Sequence, residues 1–399
     1  MKKLFTIFYL MFISMLITAE VYGRNSFSES KIPEVNYRNG IYEITIDAPT
    51  PYGRGIQHGK ALKTQINQGI LAFKNWITSN TSITDVDTFV KQFLDQKGYA
   101  GYTKDHTPDL YEELKGISDG ANVSFEMLFA YQAFDELFVY FALNGFIELQ
   151  GHCTTVGIVG TADAPNFVTH NNDIPPYFKG LNTLLRIKDP NSDLIILQGT
   201  FAGVIAQNGV NNKGIAVGIN TLGNVTSNSN GLPVAFNVRK ILEQSSVKDA
   251  LAFLETVQCA QPMNYMIGDQ HQVVSVEVYG KGKYSIIPLT SNYIVHTNHT
   301  QSDETPLAFE MNEESGGGSF ANTLGRLTKA NNWLHDNAKT INEKSLMELK
   351  SSDQINVFPG TSSGRTLQSM VVVISKTETP YVYYTADSPS ISKYTKFEF

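Results

Sequence analysis

Cysteine is scarce in this chain: its 399 residues include only two, Cys153 and Cys259. A disulfide framework needs many more cysteines in a far shorter chain, so one bond between these two is the most that disulfides can contribute. Positive charge is also limited, because the net charge is −7 and no Lys/Arg run interleaved with aromatic residues occurs. The composition therefore gives no electrostatic reason to expect nucleic acid as a partner.

Long apolar runs are equally rare, and the sequence contains no heptads, low-complexity tract or clear internal repeat. One apolar run, Leu4 to Thr18, follows the positively charged start Met1-Lys2-Lys3 and has the length of a signal peptide. Cleavage after Ala19 or Gly23 is expected. An uncleaved anchor is the alternative, but the run is short for a bilayer span. We expect residues 1–23 to be a signal peptide and the protein to be secreted or periplasmic, with no integral membrane segment after signal removal.

Two further motifs give no support to competing chemistry. His296 and His299 lie close together, but no His-Glu-x-x-His motif is present and Cys259 has no partner at metal-ligand spacing. No metal or cofactor is therefore predicted. Residues 360–364 fit the G-x-S-x-G pattern, yet a predicted strand follows where a nucleophile elbow needs a helix, so we interpret the motif as a turn.

The chain changes character at the stretch Gly151-His152-Cys153-Thr154-Thr155. After a polar lead-in over residues 24–40 and a strand over 42–46, residues 24–152 are predominantly helical in pattern. The helical patterns run through Leu62 to Phe73, through Leu110 to Ile117, and from the N-cap Ser124 over residues 125–137.

Short strand-like runs dominate after Cys153, with helices in separate blocks, which predicts layered α+β packing. No Pro/Gly/Ser-rich linker separates them, so residues 153–399 are expected to form one compact segment. A late helix is predicted from Thr323 to about Leu334, packing Leu324, Leu327 and Trp333. The predicted strands cover 154–159, 166–171, 181–187, 193–197, 214–220, 273–278, 284–287, 293–296, 367–374 and 381–384, and a helix capped by Ser246 runs through Leu254.

Cys153 is the candidate nucleophile. A cysteine attacks a carbonyl as the thiolate, so a base has to remove its proton. An N-terminal cysteine can use its own α-amino group, whose pKa lies near neutrality. We therefore predict that the chain is cut between His152 and Cys153, by an N-to-S acyl shift on the His152 carbonyl and hydrolysis of the resulting thioester.

Several segments, in this order, resemble the acyl-CoA:6-aminopenicillanic acid acyltransferase family and the related choloylglycine hydrolases. The resemblance covers most of residues 42–390. It implies a four-layer αββα fold of the N-terminal nucleophile hydrolase type, with a helical pre-segment over 24–152 that stays associated with residues 153–399 after cleavage. The segments that carry the resemblance are 54–59 (RGIQHG), 116–124 (GISDGANVS), Cys153-Thr154-Thr155, 207–217 (QNGVNNKGIAV), 220–224 (NTLGN) and 293–299 (YIVHTNH).

The resemblance also implies roles for individual residues. Asp173 matches the aspartate that would position the Cys153 ammonium, although a turn residue before Ile174 is its structural alternative. The Asn298 side-chain amide and the Asn224 backbone N–H would stabilise the tetrahedral oxyanion. Arg326 matches the arginine near the start of a late helix, and Arg365 competes with it as a contact for a substrate carboxylate.

Two departures from the relatives concern histidines. His170 stands where the bile salt hydrolases carry arginine, so their substrate contacts do not transfer to this substrate-binding candidate. His152 stands where the acyltransferases commonly have glycine, and its Cβ restricts the strained backbone that self-cleavage exploits. Conversely, the His152 imidazole could assist the proton transfer.

The sequence thus predicts an exported hydrolase of linear amides, working through a thioester. Its substrate is expected to be a small-molecule amide, such as an N-acyl amino acid, an acyl-homoserine lactone, a conjugated bile acid, a β-lactam side chain or a short peptide. One alternative is an acyltransferase of the penicillin type. The other is an unprocessed secreted binding protein in which Cys153 is buried or bonded to Cys259. The processed segments are expected to stay self-associated, and a homo-oligomer is possible.

Overall fold

The computed structural model describes residues 31–147, 153–307, 317–358 and 364–399. For residues 317–320 it describes the backbone only. Residues 33–399 form one compact unit. The described helices are α1 Pro51–Ala61, α2 Lys63–Asn80, α3 Val86–Lys97, α4 Tyr99–His106, α5 Pro108–Ala121, α6 Phe125–Gln132, α7 Phe134–Leu143, α8 Val234–Leu242, α9 Val247–Thr256, α10 Gly317–Asn337 and α11 Glu343–Ser351.

The described strands form two sheets. The larger has the order β1-β2-β5-β6-β7-β8-β9-β10-β11, and the smaller has the order β12-β3-β4-β13-β14-β15. The strands are β1 Asn36–Arg38, β2 Ile41–Ile46, β3 Thr154–Ile158, β4 Asn166–Ile174, β5 Asn182–Lys188, β6 Ile195–Phe201, β7 Asn208–Asn211, β8 Ala216–Thr221, β9 Met263–Gly268, β10 Val273–Gly280, β11 Lys283–Ile287, β12 Tyr293–His296, β13 Arg365–Ile374, β14 Tyr381–Tyr384 and β15 Thr395–Phe397.

Three hydrophobic cores separate four layers. The largest core joins α1–α9 to the nine-stranded sheet. A second core lies between the two sheets, where Val168 and Val372 of one sheet meet Val210 and Met266 of the other. The third joins the six-stranded sheet to α10 and α11 through Ala330, Leu334, Leu346 and Leu349. The predicted four-layer αββα arrangement is confirmed.

Two of the segments that carried the family resemblance pack directly against each other. Gly55 and Gly59 of α1 face Gly116 and Gly120 of α5 so closely that a Cβ at any of the four would lie 3.0 Å or less from the opposite backbone. At Gly55 the added carbon would collide with the carbonyl oxygen of Glu113. Glycine is therefore required on both helices, which accounts for the spacing of these segments without assigning them any chemistry.

Some local expectations were wrong. The lead-in contains strand β1, which pairs with β2 across the turn Asn39-Gly40, where both residues have positive φ. Asn-Gly is the preferred pair for such a hairpin turn, so the signal was present in the sequence. Leu324 was expected to pack in the core but is 42 % exposed. Its side chain lies off the buried face of α10, on which Thr323, Arg326, Ala330 and Leu334 are spaced at helical periods.

The predicted signal peptide lies outside the described residues. Among the helices that the structure does describe, none combines the length and apolarity that crossing a bilayer requires.

Candidate active site

Cys153 immediately precedes β3, the strand that lies between β12 and β4 in the six-stranded sheet. The β3–β4 register places Thr154 opposite Asn171, so the neighbouring β4 residues Asn172 and Asp173 lie beside Cys153. The Cys153 thiol is 6 % exposed and donates to Asn172 Oδ1 at 3.8 Å. The predicted nucleophile is thus held at the start of a central strand, beside the end of β4.

The two threonines after the cysteine fix its backbone. The Cys153 carbonyl oxygen accepts hydrogen bonds from Arg326 Nη1 at 2.6 Å and from Asn220 Nδ2 at 3.0 Å. Arg326 Nη1 also donates to Thr154 Oγ1 at 2.9 Å, and Thr155 Oγ1 donates to Asn220 Oδ1 at 2.7 Å. The Cys-Thr-Thr motif therefore binds one arginine and one asparagine that together immobilise the nucleophile.

Asp173 is buried beside the cysteine at the end of β4. Neither of its carboxylate oxygens meets hydrogen-bond geometry with a donor in the described parts of the chain, although the Thr366 hydroxyl lies near enough to lower the pKa of this carboxyl. Burial raises the pKa of Asp173 to about 7, while Arg326, Thr366 and Lys350 act in the opposite direction. A buried carboxylate without partners carries a high desolvation cost, so this position is suited to a cationic group that arrives later.

Asn298 lies in the loop after β12 with its amide orientation fixed. Its Oδ1 accepts from Arg326 Nη2 at 2.9 Å, and its Nδ2 donates to the Thr221 carbonyl oxygen at 3.1 Å. Within the described residues, one N–H of this amide is therefore without an acceptor. Asn224 is close, since its Nδ2 donates at 3.3 Å to Thr300 Oγ1 of the same loop. The structure thus places Asn224, in the loop after β8, against the loop that carries Asn298.

Contacts on two sides fix the loop that carries Asn298. The backbone N–H of Asn298 donates to Thr323 Oγ1 of α10 at 2.8 Å. On the other side, His296 Nε2 lies 2.9 Å from Glu277 Oε1, and His296 Nδ1 lies 2.8 Å from the Thr297 carbonyl oxygen. Both ring nitrogens lie within hydrogen-bond distance of an oxygen atom, and the ring links the Asn298 loop to Glu277 of β10. His296 therefore has a positioning role.

Arg365 and His170 lie apart from this cluster. Arg365 is ion-paired with Asp387 and its guanidinium lies 5.2 Å from the centre of the Phe358 ring. His170 is buried between the sheets, with Nδ1 3.0 Å from Asn208 Nδ2. Burial lowers the pKa of His170, so the ring is a neutral part of the inter-sheet core. Of the two candidate arginines, Arg326 is the one that contacts Cys153.

Lys350 and Asp135 were not singled out from the sequence. Lys350 of α11 is fully buried and its Nζ donates to the Thr154 carbonyl oxygen at 2.6 Å. Asp135 of α7 accepts from Thr221 Oγ1 at 3.0 Å, and burial raises its pKa to about 6. A signal for Lys350 existed, because it lies four residues after the buried Leu346 and so falls on the apolar face of its helix.

The surroundings of the thiol oppose its ionisation. Burial and the charge of Asp173 raise the pKa of Cys153, and the positive charge of Arg326 offsets only part of this. The thiol is therefore protonated at neutral pH and needs a base within the site.

Other sequence hypotheses meet the structure only in part. The predicted scissile residue His152 and the G-x-S-x-G segment 360–364, except for Gly364, lie outside the described residues. Cys153 and Cys259 are both free and buried, so the disulfide that formed part of the non-enzyme alternative is absent. Within the described residues, no group of three or more His, Cys, Asp or Glu side chains is arranged to hold a metal ion.

Comparison with known proteins identifies an enzyme of the acyltransferase and amide hydrolase class. The profile of the family described as acyl-coenzyme A:6-aminopenicillanic acid acyl-transferase matches residues 161–389, more than half of the chain, and the protein belongs to that family. The predicted family resemblance is confirmed.

Individual relatives have low sequence identity to this chain. The acyl-coenzyme A:6-aminopenicillanic-acid-acyltransferase 40 kDa form of Emericella nidulans is 27 % identical over 265 residues, which are 66 % of this chain and 71 % of that protein. Among solved structures, an N-acylethanolamine-hydrolyzing acid amidase orthologue from Caenorhabditis elegans is 15 % identical with a TM-score of 0.39, covering 55 % of this chain and 92 % of that one. Penicillin V acylase from Agrobacterium tumefaciens is 17 % identical with a TM-score of 0.40, covering 62 % and 86 %.

Proposed function

We propose that this protein is an exported N-terminal-cysteine amidohydrolase, which cleaves a linear amide through a thioester after cutting itself at His152–Cys153. The observation that carries the proposal is the convergence on Cys153 of Arg326, Asn298 and a buried Asp173 that lacks a hydrogen-bond partner among the described residues. Each meets a requirement of the chemistry: backbone fixation, oxyanion stabilisation and a counter-charge for a new amino terminus.

Self-cleavage creates the base that the thiol needs. The Cys153 thiol attacks the His152 carbonyl carbon, its proton passes to the peptide nitrogen, and the C–N bond breaks to leave the thioester and the new α-amino group. Water then hydrolyses the thioester and releases residue 152 as a carboxylate. Asp173 lies where it can pair with the α-ammonium, which supplies the partner that its two oxygens lack.

Turnover then repeats this chemistry on a substrate. The α-amine removes the Sγ proton as sulfur attacks the amide carbon, and the oxygen becomes an oxyanion. The free N–H of Asn298 and the backbone N–H of Asn224 are the proposed donors to that oxygen. Collapse expels the amine, which receives the proton from the α-ammonium, and the acyl group remains on sulfur as a thioester.

The acceptor of the acyl group separates hydrolase from acyltransferase. Water gives an acid, whereas an amine gives a new amide. Transferase activity is favoured by the 27 % identity to a penicillin acyltransferase over two thirds of the chain. Hydrolysis is favoured by the proposed export, because acyl-CoA is absent outside the cytoplasm and water reaches the thioester first.

Loss of the signal peptide tests the proposed export. We expect expression in a bacterial host to give a mature protein that has lost residues 1–23, seen by N-terminal sequencing of the helical fragment. The substrate is proposed to be an N-acyl amino acid, an acyl-homoserine lactone, a bile-acid conjugate, a β-lactam side chain or a short peptide. Among these five classes the structure makes no choice.

A panel of these five compound classes measures the activity directly. Wild-type protein is expected to release amine from at least one class, with Cys153→Ala inactive on all. Adding acyl-CoA and 6-aminopenicillanic acid then distinguishes transfer, seen as a new amide, from hydrolysis. Amine release by Cys153→Ala at the wild-type rate would contradict the proposal.

A further inference from the structure

Lys350 is a buried cation beside the candidate nucleophile. Its side chain has no exposed surface, and its described hydrogen bond is the 2.6 Å contact from Nζ to the Thr154 carbonyl oxygen. The carbonyl oxygen of the preceding residue, Cys153, accepts from Arg326. Consecutive carbonyl groups of the nucleophile segment are therefore each held by a different cation, one from α10 and one from α11.

The helix that carries Lys350 is itself fixed to this strand layer. Asn171 Nδ2 of β4 donates at 2.9 Å to the Lys350 carbonyl oxygen and at 3.1 Å to that of Ile355. Asn171 is also the residue opposite Thr154 in the β3–β4 register. The backbone of Lys350 and its side chain thus reach the same point of the sheet from one helix, which leaves little freedom to the ammonium.

The charges around Lys350 come from every layer that packs on it. Asp173 approaches it from β4 and Arg326 from α10, the Cys153 thiol lies at the start of β3, and the neutral His170 lies on the inter-sheet side of β4. Burial lowers the pKa of Lys350 to about 7, while Asp173 and Cys153 favour its charged form. An uncompensated buried cation is costly, so its presence here needs an anionic partner.

We propose that Lys350 is a positioning residue of this site, which fixes the Cys153–Thr154 backbone and supplies positive charge to Asp173 and the Cys153 thiolate. This inference rests on the proposed function. Lys350 touches neither the scissile amide nor the oxyanion. It acts through the residues that do.

The test uses iodoacetamide as a probe of thiolate, so it needs no knowledge of the substrate. Sulfur displaces iodide and the thiol proton passes to buffer, and the modified Cys153 peptide is quantified by mass spectrometry across a pH series. Lys350→Gln keeps an N–H donor but removes the charge. Its profile is expected to move to higher pH by about one unit, with about tenfold slower labelling below the midpoint. Lys350→Arg is expected to follow wild type.

Lys344→Gln is the matched control, because Lys344 lies on the same helix but is exposed. Its labelling profile should superimpose on that of wild type. A folded Lys350→Gln protein with the wild-type profile would overturn the inference, since a purely structural lysine changes stability and not the ionisation of Cys153. Should Lys350→Gln fail to fold, the uncharged and similarly long Lys350→Met takes its place: an upward shift supports the proposal and a wild-type profile contradicts it.

The outcomes also separate this inference from the proposed function. If wild-type protein is never cut at Cys153 and shows no amidase or transferase activity, the proposed function fails whatever Lys350 does. If wild type is cut and active but all Lys350 variants label as wild type does, only the role of Lys350 fails.

Discussion

Two clusters of charged residues in this protein differ in how their charged groups are paired. The helix-pair cluster consists of Arg54, Glu113, Arg239 and Glu243, and the cysteine cluster consists of Cys153, Asp173, Arg326 and Lys350. In the helix-pair cluster, Arg239 meets both carboxylate oxygens of Glu113, at 3.3 and 3.1 Å, and its Nε lies 3.2 Å from Glu243.

The cysteine cluster is incomplete by comparison. Its two cations hold backbone carbonyl groups, while neither oxygen of Asp173 has a hydrogen-bond partner among the described residues. An arginine–carboxylate network contributes to a unique packing, whereas a buried carboxylate without a donor can accept hydrogen bonds from a ligand or a new terminus. Unmatched buried atoms occur in both clusters, since Arg54 Nε and Arg239 Nε also lack a hydrogen-bond partner among the described residues; the cysteine cluster differs because its unmatched group is a carboxylate.

The largest expected difference between the clusters is chemical. Cys153→Ala removes the nucleophile and should reduce activity by at least about 10⁴-fold. Cys259→Ala is the matched control, because Cys259 is also buried, but its thiol hydrogen bonds in the described residues are with Asn228 and the Val278 carbonyl oxygen, outside the cysteine cluster. Its activity should equal that of wild type in the panel assay. Comparable losses in both variants would show that the loss does not identify Cys153 as the nucleophile.

Breaking the helix-pair cluster should cost stability instead. Glu113→Gln leaves the buried Arg239 without its bidentate partner, and we expect a loss of about 3 kcal/mol in the free energy of unfolding, measured by urea denaturation. The neighbouring Glu112→Gln removes an exposed carboxylate 3.4 Å from Lys115 and should change it by less than about 0.5 kcal/mol. Equal effects of the two variants would contradict the assignment.

An intermediate effect is expected at the oxyanion residue. Asn298→Ala removes the proposed side-chain donor and should lower kcat by about 10² to 10³-fold, or about 2.7 to 4 kcal/mol of transition-state stabilisation. Asn331→Ala on α10 is a suitable control, since its Nδ2 only donates to Leu327 of its own helix. If Asn298→Ala raises KM and leaves kcat unchanged, the residue binds substrate and does not stabilise the oxyanion.

The smallest effect concerns pH and stability near the helix-pair cluster. His58 is fully buried, its Nε2 accepts from the Gly203 backbone N–H at 3.1 Å, and burial lowers its pKa from 6.5 to about 3. Below pH 6.5 the histidine is protonated in the unfolded chain but stays neutral in the folded chain. The free energy of unfolding is therefore highest above pH 6.5 and falls as the pH is lowered toward 3. Between pH 6.5 and 5 the loss is about 2 kcal/mol.

His58→Gln keeps an acceptor that does not titrate, and unfolding curves should show this pH-dependent loss disappearing. His335→Gln serves as the control, because His335 is exposed on α10. A wild-type pH dependence in His58→Gln would show that other groups cause the acid sensitivity.

Residue patterns predicted layered α+β packing, whereas the family resemblance predicted the four-layer fold and most of the site residues. Strand alternation and helical periods placed β12 and β14 at their observed bounds, and the Cys-Thr-Thr motif with Asn298 led to one cluster. Lys350 was missed because a lysine at the C-terminal end of a helix is expected to interact with the helix dipole at the surface. Its spacing from Leu346 places it on the apolar face of α11, but its position beside Cys153 depends on α11 packing against β4.

Arg326 and Arg365 illustrate the same limit. Arg326 lies in the middle of α10 and Arg365 begins β13, and the sequence alone gives either a role. Only the tertiary arrangement shows Arg326 on the Cys153 carbonyl oxygen and Arg365 paired with Asp387. Long-range pairing of side chains more than twenty residues apart is decided by packing of whole layers.

Intact-mass analysis of the purified wild-type chain beside Cys153→Ala tests the central claim most directly. The account predicts that wild type gives two associated fragments of about 14 and about 27 kDa, in proportion to their residue counts, the larger beginning Cys-Thr-Thr, while the variant stays uncut at that bond. A wild-type chain that is catalytically active yet intact across residues 152 and 153, or a Cys153→Ala chain cut at the same bond, would contradict it.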